Sequence, residues 1–212
     1  MTNSVAVVIL TKNPKSFLVE CCYRYFVNNT TIIFELFFVD IAEKSVFECR
    51  KDFIANCEQD YICVVPEDYF LGLNWLEDLI HAYMKDEKAG IISIRNGSEN
   101  CYLSPIQVDD EFGSEMILEN VFKTPNNWVE GLLFFSKGRI KEHLDNCNKL
   151  FVKNHEDIAL CMQLSLNGYI NYYIRKQTAI SLKNDTKEQR TDEQIKEFKT
   201  VVNQFVKEKI NE

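Results

Sequence analysis

Acidic residues stand where several apolar runs of this sequence stop. "TIIFELFFVD" ends on Asp40, "YICVV" ends at Pro66-Glu67-Asp68, and Glu156-Asp157 opens "EDIALCMQLSL". The first apolar run, "VAVVIL", gives way to Thr11, Lys12 and Asn13. Carboxylate oxygens bind hard divalent cations such as Mg²⁺ and Mn²⁺. A carboxylate beside a hydroxyl can also take its proton. Each position has a plainer reading as well. Glu67 and Asp68 then close a strand in a polar loop, Thr11 and Asn13 form a turn, and Glu156 and Asp157 offset a helix dipole.

The elements that position these residues follow from periodicity. Val5–Leu10, Thr31–Asp40, Tyr61–Val65 and Ala89–Ile94 read as strands, the wholly apolar runs among them as strands covered on both faces. Helices are expected between them. Ser16 is a cap for the first, "VFECRKDFIANC" forms the second, and "NWLEDLIHAYMKD" forms the third, with Asn74 and Glu77 at capping-box spacing. This alternation predicts an α/β fold whose sheet has parallel strands and right-handed crossovers. Ligands in such sheets bind beyond the carboxyl ends of the strands, which aligns Thr11 to Asn13, Asp40 and Pro66 to Asp68 on one edge.

The second half is less regular. Residues 96–127 are polar, with a weak strand signal at "CYLSPIQV". "WVEGLLFFSK" (128–137) and "YINYYI" are strands, and a helix from Asn154 to Asn167 has Gly168 as its C′ residue. The aromatic residues of this half, Trp128 among them, read mostly as core. After Lys183 comes an amphipathic helix whose capping box is Thr191 with Gln194 and whose apolar face carries Ile195, Phe198, Val202 and Phe205.

Composition narrows the class. The 212 residues suit one α/β domain, and 46% hydrophobic content supplies a core. A net charge of −8 argues against a nucleic-acid partner. Eight cysteines without a Cys-x-x-Cys pair, several inside apolar runs, suggest a reduced, cytoplasmic setting. No apolar run approaches the roughly 20 residues of a membrane-spanning helix, and the amino terminus lacks the charge pattern of a leader.

In order and spacing these motifs resemble the family 2 nucleotide-diphospho-sugar glycosyltransferases, which have the GT-A fold. "VAVVILTKN" is similar to the family's opening strand and turn, and "FFVD" to its second strand. "YICVVPEDYFLGLNWLEDLIHAYMKDEKAGIIS" is similar to its strand, Asp-x-Asp segment, Trp-Leu helix and next strand. "EGLLFFSKGRIKEHL" and "HEDIALCMQLSLNGYINYYI" resemble the acceptor-side strand and the Glu-Asp segment. The resemblance covers roughly residues 4–182. It implies a GT-A domain over 1–185, with a nucleotide-binding half (1–95) and an acceptor half (96–185), followed by a C-terminal helix (186–212).

It also implies an inverting transfer of a sugar from a nucleotide-diphosphate sugar, a UDP-sugar in preference, to a hydroxyl acceptor on a glycan, protein or lipid. By residue-for-residue match Asp157 is the base and Glu156 its neighbour. Thr11, Asn13, Asp40, Glu67 and Asp68 contact the nucleotide sugar, and Asp68 binds Mn²⁺ or Mg²⁺. A homo-oligomer or a second glycosyltransferase is a possible partner. The sequence departs from the pattern at Pro66, where the first acid of the segment is missing, and at Ala159, where many relatives have Asp. In "TAISLKN", Leu182 or its neighbours replace a metal-binding His. These departures keep an alternative open, a catalytically degenerate GT-A module that binds a glycan or partners an active transferase. A nucleotidyltransferase-like enzyme is a weaker third reading, because no Gly-rich phosphate loop occurs near the amino terminus.

Overall fold

The computed structural model describes residues 4–96, 123–126, 131–144, 156–181 and 200. Its strands are β1 (Val5–Thr11), β2 (Glu35–Asp40), β3 (Tyr61–Pro66), β4 (Tyr69–Phe70), β5 (Ala89–Asn96), β6 (Lys123–Asn126), β7 (Leu133–Ser136) and β8 (Ile170–Ser181). Its helices are α1 (Phe17–Asn28), α2 (Val46–Asn56), α3 (Trp75–Met84), α4 (Lys137–Lys141) and α5 (Glu156–Leu166). One sheet has the order β2-β1-β3-β7-β5-β8-β4, with β6 also paired to β8. β1 is parallel to β2 and β3, and β5 is parallel to β8. β7 runs against both β3 and β5, so β1, β2, β3, β5 and β8 share one direction. The four-strand alternation expected from the sequence is present, and β7 is inserted between its third and fourth strands.

β1 explains why its sequence is apolar throughout. Val5, Val7 and Ile9 enter one core with Phe26, Trp75, Leu76 and Leu79, while Ala6 and Val8 enter a second with Ile54, Ile62, Leu160 and Leu164. Alternate side chains of a strand point to opposite faces, so helices on both sides demand an unbroken apolar run. β2 differs from its expectation as a buried strand. It begins at Glu35 rather than Thr31, lies at the sheet edge, and leaves Phe38 exposed.

The helix ends are set by side chains. The Ser16 hydroxyl accepts the Val19 N–H (3.2 Å). Ser45 and Glu48 form a reciprocal capping box at α2, an S-x-x-E signal visible in the sequence. α5 closes on Gly168 (φ +80), where the Gly168 and Tyr169 N–H groups donate to Ser165 and Leu164 carbonyls. This is the double-bonded glycine stop, and it fixes the turn into β8. The capping box expected at Asn74 is absent. Asn74 is left-handed (φ 59) and makes no side-chain cap bond, because only an extended cap residue aims its side chain at the free N–H groups. Glu77 instead leaves α3 to accept Thr30 Oγ1 (2.8 Å), Thr31 N (2.5 Å) and Thr31 Oγ1 (2.8 Å). It therefore ties α3 to the loop that enters β2.

Trp75 is fully buried, and its Nε1–H donates to the Phe26 carbonyl (3.2 Å). Its ring meets Phe26 and Phe34 at centroid distances of 5.7 and 6.4 Å. The Trp of "NWLEDL" is thus an anchor for α3, whose removal would cost about 3–5 kcal/mol.

Candidate functional site

The sheet register assembles the site. Thr11 pairs with Asp40, and Leu10 pairs with Pro66. The ends of β1, β2 and β3 therefore lie side by side, with Glu67 and Asp68 one step beyond. The Thr11 side chain is fully buried; its hydroxyl donates to the Glu67 carboxylate and accepts the Asn13 N–H (3.0 Å). Asn13 is exposed, and its Oδ1 accepts the Lys15 N–H (3.2 Å). Asn13 thus shapes the β1–α1 turn by an Asx-type bond. Asp40 is also exposed, with its Oδ1 on the Ala42 N–H (2.8 Å) and its carbonyl accepting from the Cys49 thiol (3.4 Å). Burial pushes that thiol's pKa up.

Asp68 is buried at 7% exposure, unlike its neighbour Glu67, which is half-buried. β4 begins immediately after it and pairs antiparallel with the end of β8, Tyr69 opposite Ser181. The Ser181 hydroxyl donates to the Asp68 carboxylate. Two adjacent acids are thus each held by a hydroxyl, one from β1 and one from β8. The position where sequence comparison sought a His ligand holds Ser181 against Asp68, with Leu182 outside the described residues. The sequence pointed to "TAISLKN" only for its missing His; that Ser181 meets Asp68 depends on β4, which is only two residues long.

A third contact closes the site toward β7. Gly131 has φ +82, and a Cβ built there would strike the hydroxyl of Tyr69, itself buried. Glycine is required here both by conformation and by space.

Glu156 and Asp157 form the first turn of α5. The helix is pinned by buried Asn171 of β8, whose Oδ1 accepts the Ile91 N–H (3.0 Å) and whose Nδ2 donates to the Cys161 carbonyl (3.0 Å) and Ser165 Oγ (3.1 Å). Its last turn sits at the amino ends of β5 and β8, so Glu156 and Asp157 are its residues farthest from that edge. Ala159 is buried in the core. Trp128, His155, the "CYLSPIQV" stretch, Cys101, Cys147 and the capping box of the C-terminal helix lie outside the described residues.

No protein-family model matches the chain. No curated protein matches it either. Among solved structures it is similar to S. aureus TarS 1-349, with a TM-score of 0.60 at 13% identity over 97% of this chain and 65% of that one. The same protein in complex with UDP-GlcNAc aligns with a TM-score of 0.60 at 13% identity, over 97% and 66% of the two chains. GalNAc-T7 with UDP, GalNAc and Mn²⁺ aligns with a TM-score of 0.51 at 11% identity, over 84% and 43%. The chain has the GT-A fold. At these identities the likeness is one of fold, and the chain spans 43% to 66% of the lengths of these GT-A structures. Among the described residues no helix is long and apolar enough to cross a membrane, and no disulfide joins cysteines 21, 22, 49, 57, 63 and 161.

Proposed function

We propose that the chain is an inverting glycosyltransferase that takes a sugar from a nucleotide-diphosphate sugar, a UDP-sugar in preference, and passes it to a hydroxyl acceptor. The observation that carries this reading is the meeting of Thr11, Glu67, Asp68 and Ser181 on one edge of a GT-A sheet. In this reading residues 1–95 are the nucleotide-binding half and 96–185 the acceptor half, and the helix expected over 186–212 lies, but for residue 200, outside the described residues.

The residues present fit a hard divalent cation of the kind expected, Mn²⁺ or Mg²⁺. Among the described residues there is no group of three or more His, Cys, Asp or Glu side chains able to hold a metal alone. The Asp68 carboxylate and Ser181 hydroxyl are nevertheless touching oxygen donors, and Mg²⁺ is commonly held by one or two carboxylates plus substrate phosphates. Asp68 would hold the ion, which when bound offsets charge on the departing diphosphate. Thr11 and Asn13 shape the turn beneath the nucleotide, and Asp40 presents its carboxylate beside it. Glu67, braced by Thr11, supplies the carboxylate that Pro66 lacks.

Asp157, with Glu156 beside it, takes the proton of the acceptor hydroxyl. The acceptor oxygen bonds to the anomeric carbon as the bond from that carbon to phosphate oxygen breaks. The nucleoside diphosphate leaves with the electron pair, and a single displacement inverts the centre. The test is Asp157→Asn with UDP-sugar donors. Transfer should fall by at least about 10²-fold, the scale of a general base, while UDP affinity is retained. Full activity in that variant would refute the role.

A second reading, a degenerate GT-A module partnering another transferase, is favoured by Ala159, which is buried where many relatives carry an acid. Nucleotide binding without transfer to any acceptor, alone or with a second copy, would select it.

A further inference from the structure

We propose that Ser181 is a positioning residue of the donor site, setting the Asp68 carboxylate for a hard divalent cation that arrives with the nucleotide diphosphate. The inference rests on the donor-site reading above and adds to it a residue that no sequence motif marks. Three observations carry it. Asp68 is nine-tenths buried, and a buried carboxylate needs hydrogen-bond donors. Ser181 is the donor that β8 supplies. A hydroxyl is neutral, so this contact orients the carboxylate without neutralising it, as a Lys or Arg in that place would.

The contact is also built in by topology. Ser181 lies 113 residues beyond Asp68 and reaches it only because Tyr69–Phe70 pair with the last residues of β8. A two-residue strand adds little stability of its own, so its consequence is local: it brings one hydroxyl to one carboxylate. The Thr11 hydroxyl braces Glu67 from the opposite side, so the two acids are held independently. The Asp68 carboxylate held in this way is an oxygen donor. Oxygen donors suit Mg²⁺ and Mn²⁺, whereas nitrogen and sulfur donors suit Zn²⁺. Mg²⁺ is commonly held by one or two carboxylates plus substrate phosphates, so Asp68 takes the cation as a nucleotide complex.

The test is calorimetric titration of UDP into the whole chain in EDTA, Mg²⁺ and Mn²⁺, for wild type, Ser181→Ala, Ser181→Thr and Asp68→Ala. Removing a group that orients a metal ligand costs about 10–100-fold in metal affinity. Ser181→Ala should therefore lower the Mg²⁺- and Mn²⁺-supported affinities at least about tenfold more than the affinity in EDTA. Ser181→Thr, which keeps the hydroxyl, should restore most of the loss. The electron paramagnetic resonance spectrum of Mn²⁺ with UDP should report less bound ion in Ser181→Ala. If Asp68→Ala loses cation-dependent binding while Ser181→Ala keeps it, the inference about Ser181 fails and the donor site stands. If Ser181→Thr behaves as Ser181→Ala, the hydroxyl is not the operative group and the inference fails as well. If the wild-type chain shows no cation-dependent binding of UDP, both are overturned.

Discussion

Replacing Gly131 by alanine tests how the edge of the sheet at Asp68 and Tyr69 is closed. The backbone at Gly131 has φ +82, and a Cβ there would collide with the Tyr69 hydroxyl. A left-handed conformation costs an L-residue about 1–2 kcal/mol, and forcing extra volume into a packed contact adds about 1–3 kcal/mol. Gly131→Ala should thus lose about 2–5 kcal/mol, to be read from urea denaturation with the slope checked for constancy. Tyr69→Phe removes the colliding oxygen and keeps the buried ring. In the double variant the collision with the hydroxyl is gone while the ring Cζ, 3.1 Å from the added Cβ, still presses, so the cycle should recover part of the packing cost and show about 1–2 kcal/mol of favourable coupling. Gly131→Ala within about 0.5 kcal/mol of wild type, the range of a surface change, would refute the reasoning. Additive losses would show that backbone strain acts alone and that Tyr69 does not press on this position.

Other parts of the scaffold give sharper readouts of charge. Burial works to raise the Glu77 pKa, but the hydrogen bonds from Thr31 and Thr30 outweigh it and hold the carboxyl below its usual value. Its contribution is therefore present above the unfolded carboxylate pKa and lost as pH falls through the folded one. Glu77→Gln should flatten the acid limb of a stability–pH curve; an unchanged limb would contradict this. Burial, aided by the Asp86 carboxylate that accepts its hydroxyl, raises the pKa of Tyr172. That contribution is complete below about pH 10, the ordinary tyrosine value, and lost as pH climbs beyond it. Tyr172→Phe should reduce the alkaline loss of stability. Asn171→Leu leaves the buried Ile91 N–H without its acceptor and removes the bonds to the Cys161 carbonyl and Ser165 Oγ, and should cost about 1–3 kcal/mol for the stranded N–H alone; a loss under about 1 kcal/mol would show that the buried group found a new partner.

The sequence was legible where a local rule determines the outcome. Ser16, Gly168 and the apolar runs β1, β3 and β5 obey short-range capping and burial patterns, and each forms the expected element. It was misleading at Asn74, whose spacing to Glu77 fits a capping box while the backbone is left-handed and Glu77 bonds across to Thr30 and Thr31. It was silent on Ser181 and on the Tyr69–Gly131 contact. Both depend on which strands become neighbours, and a two-residue β4 has no periodicity to read. The limits of β2 were overextended because an apolar run does not distinguish a strand from the loop leading into it. Thr11, Glu67 and Asp68 are brought together, and Asp40 lies beside Thr11 in register.

The central claim is that Asp68 anchors a nucleotide-diphosphate site, and a thermal-shift panel addresses it most directly. UDP, GDP, TDP and CMP would each be offered with and without Mn²⁺ to wild type and to Asp68→Ala. A nucleotide at 100 times its dissociation constant adds about 2.7 kcal/mol, which for a chain of this size moves the midpoint by about 5–11 °C. The account predicts a Mn²⁺-dependent shift of that order for UDP in the wild type and its loss in Asp68→Ala. No shift with any nucleotide, or an equal shift in both proteins, would contradict it.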